Sequence, residues 1–269
     1  MSYHTDLSFL NKPEILETVF PIVYSPFSLL DLNTPSSNFP EYSIEVEEGI
    51  KIRCGFWSSG KECPSILYFH GNGETVPGHD WIAPFYNQRG INLFVADYRG
   101  YGSSDGKPTI SNMFGDAHII FRGFKEVIRK EGFNDSLLVM GRSLGSMPAI
   151  ELAFNYQGEI RGLIIESGAA NNFRRLWNYF GVIGKEAIFS EESLFLNKVK
   201  LRQVRKPTLI IHGEEDQIIP VKEGEKLYHW SGAQDKRILI IPGAGHNDVM
   251  ILNQNLYFDT IEEFIKARS

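Results

Sequence analysis

The sequence predicts an α/β fold built on a mostly parallel, doubly wound sheet. Six short apolar runs have the composition of strands buried on both faces, and helical patterns separate them. Strands that alternate with helices pair in parallel, because a crossover helix returns the chain to the same end of the sheet. The predicted strands are SILYF (65–69), INLFVA (91–96), SLLVM (136–140), LII (163–165), TLII (208–211) and RILII (237–241).

An antiparallel hairpin is predicted at one edge of this sheet, ahead of the parallel strands. Apolar and polar residues alternate on both sides of the turn Glu47-Glu48-Gly49, as expected for two strands with one solvated face. The alternating apolar residues are Tyr42, Ile44 and Val46, followed by Ile50, Ile52 and Cys54.

Two amphipathic helices are clear in the sequence. The longer one starts at Ile110, repeats apolar residues at helical spacing through Ile128, and is expected to end at Gly132. The last one is expected to dock on the sheet as its outer layer. Its apolar residues are Leu256, Tyr257, Ile261, Phe264 and Ile265.

The chain is predicted to contain one large domain preceded by an arm. A polar loop with two prolines, residues 33–40, separates an N-terminal arm (1–40) from an α/β domain (41–269). Residues 167–206 contain no strand candidate, so we interpret them as a small lid-like insertion.

The insertion is rich in aromatic residues, which suggests two roles. These side chains either seal the core beneath the insertion or line a substrate pocket, and both interpretations stay open. In the second case Trp177 and Phe180 are candidate substrate-binding residues. The aromatic residues are Phe173, Trp177, Tyr179, Phe180, Phe189 and Phe195.

Composition and charge narrow the class of protein. The chain has 269 residues, 42% of them hydrophobic and 22% charged, which is typical of a soluble globular protein. Its net charge of −6 gives no positive field for phosphate backbones, so nucleic acid is not expected as a partner. Cys54 and Cys63 are too few for a disulfide framework and lack the spacing of a zinc site.

Targeting signals are not evident. The N-terminal segment carries Asp6 and Pro13 where a secretory signal needs a basic end and an unbroken apolar stretch. No window approaches the roughly 18 apolar residues that a membrane-spanning helix needs. We therefore expect a cytoplasmic protein with no transmembrane segment, and its oligomeric state is open.

The most informative motif is Gly141-Arg142-Ser143-Leu144-Gly145, which lies between a predicted strand and a predicted helix. G-x-S-x-G in this context is a nucleophile elbow, in which glycines let the strand and helix backbones approach closely. A serine that only caps the helix is the simpler alternative. The strand-to-helix context favours Ser143 as a nucleophile.

A serine nucleophile needs a general base, and His246 is the best candidate among seven histidines. It follows the last predicted strand in the loop GAGH, whose glycines leave the ring free to reach across the sheet edge. We interpret His4, His118 and His229 as solvated or packed residues, and His70 and His212 as parts of loop geometry.

A carboxylate must fix the tautomer of that histidine. Asp216 follows the penultimate strand and is favoured; Glu166, which ends the strand after the elbow helix, is the alternative. The chain order Ser143, Asp216, His246 is the one expected for a nucleophile elbow on this kind of sheet.

Acyl transfer also needs two N–H donors for the oxyanion of the tetrahedral intermediate. We predict that the backbone N–H groups of Leu144 and Asn72 supply them. Asn72 belongs to the segment HGNGE (70–74), which follows the first buried strand. The alternative is that HGNG is only a flexible turn.

Metal and nucleotide sites are not supported. His70, Glu74, His79 and Asp80 could be drawn as a metal cluster, but their spacing matches no standard site. GNG and GYGSSDG do not match the phosphate-binding glycine patterns, so we expect no cofactor.

Residues 41–267 resemble a serine hydrolase of the α/β-hydrolase fold. The matching segments, in order, are HGNGE, GRSLG, HGEEDQIIP and GAGHND. DYRGYGSSDGKPT together with GAGHNDV is similar to the branch that includes α/β-hydrolase-domain depalmitoylases and related lipases. The resemblance implies hydrolysis of esters or thioesters, with Ser143, Asp216 and His246 as the catalytic triad.

The expected function is therefore cofactor-free hydrolysis of a small-molecule carboxylic ester or thioester through an acyl-enzyme. The alternative is a non-catalytic ligand-binding or signalling module on the same fold. A dehalogenase or epoxide hydrolase would require a carboxylate where Ser143 stands.

Overall fold

The computed structural model describes residues 10–24, 39–170 and 196–268. Eight strands form one sheet in the order β1-β2-β4-β3-β5-β6-β7-β8. The pairs β1/β2 and β2/β4 are antiparallel, and the other five pairs are parallel. The strands are β1 (Glu41–Glu47), β2 (Ile50–Trp57), β3 (Ser65–Phe69), β4 (Asn92–Ala96), β5 (Leu137–Arg142), β6 (Gly162–Glu166), β7 (Thr208–Gly213) and β8 (Lys236–Ile241).

The helices lie between and beyond these strands. They are α1 (Pro13–Val19), α2 (Pro21–Tyr24), α3 (Ala83–Asn87), α4 (Ile110–Glu131), α5 (Ser146–Asn155), α6 (Leu196–Leu201), α7 (Val221–Trp230), α8 (Val249–Leu252) and α9 (Gln254–Lys266). Short 3₁₀ helices cover Val76–His79 and Ser143–Gly145. None of the helices in the described part of the chain is long and apolar enough to cross a membrane.

Local sequence explains the boundaries of the longest helix, α4. Thr109 caps its N-terminus in a reciprocal capping box with Asn112, and Gly132 ends it in the left-handed conformation at φ 72°. Both predicted boundaries of this helix therefore have a local cause.

Hydrophobic packing covers both faces of the sheet. One cluster joins α4 and α5 to the sheet through side chains such as Phe121, Phe124 and Ile150. The other joins α3 and α9 to the opposite face through Tyr86 and Phe258. Strands β3 to β7 are buried along their whole length, which explains their continuous apolar sequences.

Two expectations about burial were wrong. RILII was predicted to form a strand buried on both faces, but β8 is only partly buried because it is the edge strand. Leu256 was expected to dock on the sheet with the other apolar residues of α9, yet it is 38% exposed. Phe258 is buried in the core on that helix instead.

The described part of the predicted arm packs onto the main body. Phe20 is fully buried and contacts the ring of Tyr101 edge-on, with 6.5 Å between ring centroids. The Tyr24 hydroxyl donates a hydrogen bond to the carbonyl of Pro108. The division at residue 40 stays a prediction.

The topology places one crevice at the end of the sheet. From β3 the chain goes first to β4 on one side and then to β5 on the other, so the strand order reverses between β3 and β5. Ligands of open α/β sheets bind beyond the carboxyl ends of the strands at such a reversal. The segments HGNGE and GRSLG both lie there.

Candidate active site

Ser143 lies in a strained turn at the end of β5. Its φ is 51°, which is unusual for a residue with a Cβ atom, and backbone strain of this kind clusters at active sites. A Cβ at Gly145 would lie 2.0 Å from the carbonyl oxygen of Phe69, and one at Gly141 would lie 2.1 Å from the carbonyl oxygen of Gly145. The two glycines are therefore required for the turn to form against β3.

Three predicted side chains come together at this turn. The Nε2 atom of His246 is 3.0 Å from the Oγ atom of Ser143. On the other side of the ring, Nδ1 is 2.7 Å from an Oδ2 oxygen of Asp216. His246 and Asp216 are both buried, so bulk water competes little for these hydrogen bonds.

The Asp216 carboxylate is held by its own loop. Its Oδ1 oxygen accepts hydrogen bonds from the backbone N–H groups of Ile218 (2.9 Å) and Ile219 (2.7 Å). Burial opposes ionisation of Asp216, but hydrogen bonds from His212, His246 and Ile219 outweigh it and hold the pKa of this carboxyl well below its usual range. Asp216 is therefore an anion at neutral pH, able to accept a hydrogen bond from Nδ1–H of His246.

His212 supports the same loop, in line with its interpretation as a part of loop geometry; its contact with the Asp216 carboxylate is what the sequence pattern did not indicate. Its Nε2 atom donates to the carbonyl of Ile219 at 2.7 Å and lies 3.4 Å from the Oδ2 oxygen of Asp216. The ring therefore links strand β7 to the turn that presents the carboxylate.

Glu166, the alternative acid, is bound elsewhere. Its Oε2 oxygen accepts a hydrogen bond from the Tyr257 hydroxyl (2.6 Å), and its Oε1 oxygen accepts one from Nε of Arg142 (3.2 Å). Burial raises its pKa, and the Arg142 charge only partly opposes that rise. Asp216 rather than Glu166 therefore contacts His246.

The loop after β3 faces the elbow. Asn72 is fixed by its side chain, whose Oδ1 accepts a hydrogen bond from the Tyr101 hydroxyl (2.6 Å) and whose Nδ2 donates to the carbonyl of Val19 (2.9 Å). Leu144 directly follows Ser143 in the 3₁₀ helix. The oxyanion-binding role of the Asn72 and Leu144 N–H groups stays a prediction.

A buried histidine supports the start of that loop. His70 Nε2 lies 3.1 Å from Oδ1 of Asp97, and the same oxygen accepts the N–H of Val76. Burial opposes the charge on His70, but the Asp97 hydrogen bond and negative charge outweigh it and raise the pKa of the ring. His70 and Asp97 thus act as parts of the loop scaffold.

The side chains of the possible metal cluster have protein partners. Glu74 pairs with Arg142, His79 Nδ1 lies 2.9 Å from the carbonyl oxygen of Thr75, and Asp80 accepts the indole N–H of Trp57. Across the described ranges, His, Cys, Asp and Glu side chains form no group suited to hold a metal ion.

A sequence-family match identifies the chain. The family described as serine aminopeptidase, S33, matches residues 60–180 and 197–250, which make up more than half of the chain and include the elbow, Asp216 and His246. The chain belongs to this hydrolase family.

Curated relatives of the hydrolase agree with that placement. Alpha/beta hydrolase domain-containing protein 17B of Xenopus laevis is 30% identical over 234 residues, covering 83% of this chain and 74% of the relative. The human protein of the same name is 29% identical over 231 residues with the same coverage.

Solved structures confirm the predicted fold. Est1E from Butyrivibrio proteoclasticus, described with bound ferulic acid, superposes with a TM-score of 0.69 at 19% identity, covering 84% of this chain and 98% of that one. The Pyrococcus furiosus esterase Pf2001 superposes with a TM-score of 0.67 at 18% identity, covering 87% of this chain and 93% of that one. The hydrolase therefore has the α/β-hydrolase fold, with its antiparallel edge at β1 and β2.

Trp177 and Phe180, the candidate substrate contacts, lie outside the described residues, as do the other aromatic residues of the lid-like insertion. Their role stays a prediction.

Proposed function

We propose that this hydrolase cleaves carboxylic esters and thioesters through an acyl-enzyme formed on Ser143. One observation carries the proposal: an unbroken line of hydrogen bonds from Ser143 through His246 to Asp216, at 3.0 Å and 2.7 Å. A serine that only capped a helix would need neither a histidine on its hydroxyl nor a carboxylate behind that histidine.

Acylation follows from the positions of these atoms. Nδ1–H of His246 donates a hydrogen bond to Asp216, and this fixes the tautomer in which Nε2 is unprotonated and faces the Ser143 hydroxyl. As Oγ attacks the carbonyl carbon, Nε2 takes its proton and the carbonyl π electrons move onto oxygen. The backbone N–H groups of Asn72 and Leu144 are proposed to bind that oxyanion.

His246 then returns the proton, first as acylation is completed and again during deacylation. The tetrahedral intermediate expels the alcohol or thiol, which takes the proton from Nε2 of His246 as it leaves. Water then gives a proton to Nε2 while it attacks the acyl carbon, and collapse of the second intermediate returns that proton to Oγ of Ser143. No cofactor enters the proposed cycle.

Three lines of support favour esters and thioesters over amides. The solved structure of Pf2001, which has the same fold, is named an esterase, and this supports the oxygen ester. The resemblance to the depalmitoylase branch supports the thioester. A thiolate also leaves more readily than an amine anion, so the same relay requires less proton donation to the leaving group.

The lid-like insertion is proposed to contact the acyl group through Trp177 and Phe180. Each methylene that these side chains bury would add about 0.8 kcal/mol of binding. Over a series of p-nitrophenyl esters, kcat/KM should then rise from the acetate to a maximum at short or medium acyl chains. Trp177→Ala should flatten this rise while turnover of the acetate stays largely unchanged. A profile that is unchanged in Trp177→Ala would remove this contact from the proposal.

A substrate panel tests the reaction class. Wild type and Ser143→Ala are assayed side by side on one acyl group presented as an oxygen ester, a thioester and an anilide. We expect turnover of the first two by wild type and its loss in Ser143→Ala. Turnover that persists in Ser143→Ala would contradict the proposed nucleophile, and wild type inactive on all three would favour a non-catalytic module.

A further inference from the structure

Arg142, inside the elbow motif, connects three parts of the site. It is 8% exposed, and its guanidinium is surrounded by acceptors. Nη2 donates to the backbone carbonyl of His246 and to Oδ1 of Asn247, both at 2.9 Å. Nε donates to Glu166 and Nη1 donates to Glu74, so each nitrogen of the fork has a partner.

Glu74 extends this connection to the loop that carries Asn72. The second carboxylate oxygen of Glu74 accepts the backbone N–H of Gly71 at 3.1 Å. A Cβ at position 71 would lie 2.4 Å from Nη1 of Arg142, so the loop backbone lies directly against the guanidinium. The peptide next to Asn72 is therefore positioned by the ion pair.

We propose that Arg142 is the positioning residue that ties the oxyanion loop to the loop of the catalytic base. This inference rests on the proposed function, and it concerns how the base and the oxyanion donors keep their geometry. Arg142 does not touch the reacting atoms. It acts through the carbonyl of His246 on one side and through Glu74 and Gly71 on the other.

The shape of the side chain matters as much as its charge. The guanidinium is a planar fork that reaches several acceptors in different directions, whereas a lysine ammonium is a single point on a flexible stem. Lysine could neutralise Glu74 or Glu166 but could not hold His246, Glu74 and Glu166 at once. The expected order of activity is therefore arginine, then lysine, then alanine.

Charge compensation gives Arg142 a second, structural effect. Glu74 and Glu166 are acidic groups that share the buried Arg142 cation, and loss of that cation removes this counter-charge from both. Arg142→Ala is thus expected to lose stability as well as activity. The test must separate the two effects.

A neighbouring cavity makes that separation possible. About 330 Å³ of space is lined by Arg142, Glu74, Glu166, Tyr68 and Trp81, among others, and Trp81 is 53% exposed, so this space borders the protein surface. A small cation can enter this space. Guanidinium or methylguanidinium should therefore bind where the Arg142 side chain has been removed.

The experiment measures kcat, KM and the fraction of active sites for wild type, Arg142→Lys and Arg142→Ala on one p-nitrophenyl ester. We expect kcat per active site to fall by about 10²-fold in Arg142→Lys, the effect of roughly 1 Å of misplacement, with KM nearly unchanged. Millimolar methylguanidinium should restore kcat of Arg142→Ala at least tenfold, and neutral urea at the same concentration should not.

Arg89 provides the matched control. It pairs with Asp259 between α3 and α9, away from the crevice, so Arg89→Ala tests the loss of an arginine ion pair without the proposed role. We expect Arg89→Ala to keep wild-type kcat and to be insensitive to methylguanidinium.

Two results would overturn the role of Arg142. One is wild-type kcat per active site in Arg142→Lys. The other is a folded Arg142→Ala that methylguanidinium does not restore; if Arg142→Ala fails to fold, Arg142→Lys decides alone. Ser143→Ala in the same assay separates this failure from failure of the proposed function, because only the latter leaves Ser143→Ala active.

Discussion

Gly224 lies in the middle of α7 against the ring of His212, where a Cβ would be 2.7 Å from Nδ1. Glycine inside a helix normally destabilises it by about 0.5–1 kcal/mol relative to alanine. Here the glycine makes room for the ring that links β7 to the Asp216 turn. Gly224 therefore lowers the stability of the helix but allows His212 to pack beside the Asp216 turn.

Gly224→Ala is expected to lower both stability and activity, although helix propensity alone predicts a gain. Overpacking of this kind destabilises by about 1–3 kcal/mol, and displacement of His212 would move Asp216. The matched control is Gly115→Ala in α4, where a Cβ meets nothing within 4 Å. Urea denaturation should show Gly115→Ala stabilised and Gly224→Ala destabilised; a gain in both would contradict the steric explanation.

The two acids should differ sharply in kinetic importance. Asp216→Asn removes the acceptor that fixes the His246 tautomer, so kcat should fall by a factor on the order of 10⁴. Glu166→Gln removes a charge that faces Arg142 and Tyr257 instead, so its effect should be far smaller. Steady-state kinetics of both variants on one ester tests this difference. A larger loss of kcat in Glu166→Gln than in Asp216→Asn would refute the assignment of Asp216 as the acid.

The elbow glycines should not tolerate a methyl group. Gly145→Ala would place Cβ 2.0 Å from a backbone oxygen of β3, so either the turn shifts or the protein fails to fold. Gly158 lies in a turn where a Cβ meets nothing within 4 Å, and Gly158→Ala is the control. We expect Gly158→Ala to have wild-type thermal stability and turnover, and Gly145→Ala to lose both; an active Gly145→Ala would show that the close contact is not needed.

Glu151 should make stability depend on pH in the acid range. It contacts His118 and Lys200, and although burial opposes ionisation, these partners lower its pKa from the ordinary value of 4.5 to about 2. Because the folded pKa is depressed, the stabilising effect of the carboxylate is fully present above about pH 4.5 and is lost as the pH falls towards 2.

Glu151→Gln tests this dependence. Removing one partner leaves the buried Lys200 cation uncompensated, which should destabilise the protein by about 3 kcal/mol at pH 6. Urea denaturation at pH 6 and near pH 3 gives the free energy of unfolding of both proteins. The difference between wild type and variant should be smaller at the lower pH. A gap that is the same at both values would contradict the ion-pair explanation.

Much of the site could be predicted because it consists of short local patterns. Ser143 is flanked by glycines at a strand-to-helix junction, and His246 follows the last strand, so sequence order alone indicates where each lies. The boundaries of α4 have equally local causes in Thr109 and Gly132. Features of this kind need no knowledge of the packing.

The connections that join distant segments could not be predicted in this way. Arg142 meets Glu74, Glu166 and His246 only after β3, β5 and β6 have paired and the last loop has closed over them. The hydrogen bond between Asn72 and Val19 likewise joins the loop to a helix far away in sequence. The exposure of Leu256 could not be predicted either, because helical spacing does not indicate which apolar side chain lies at the edge of the buried face of a helix.

Covalent labelling of Ser143 by a fluorophosphonate tests the central claim most directly. Intact-mass spectrometry should show one adduct on wild type, mapped to Ser143 by peptide analysis, because only a serine activated by His246 and Asp216 attacks the phosphorus rapidly. Ser143→Ala should remain unlabelled, while Ser103→Ala, which changes a serine in an exposed turn, should label at the wild-type rate. Wild type that takes up no label, or a label that persists in Ser143→Ala, would contradict the triad.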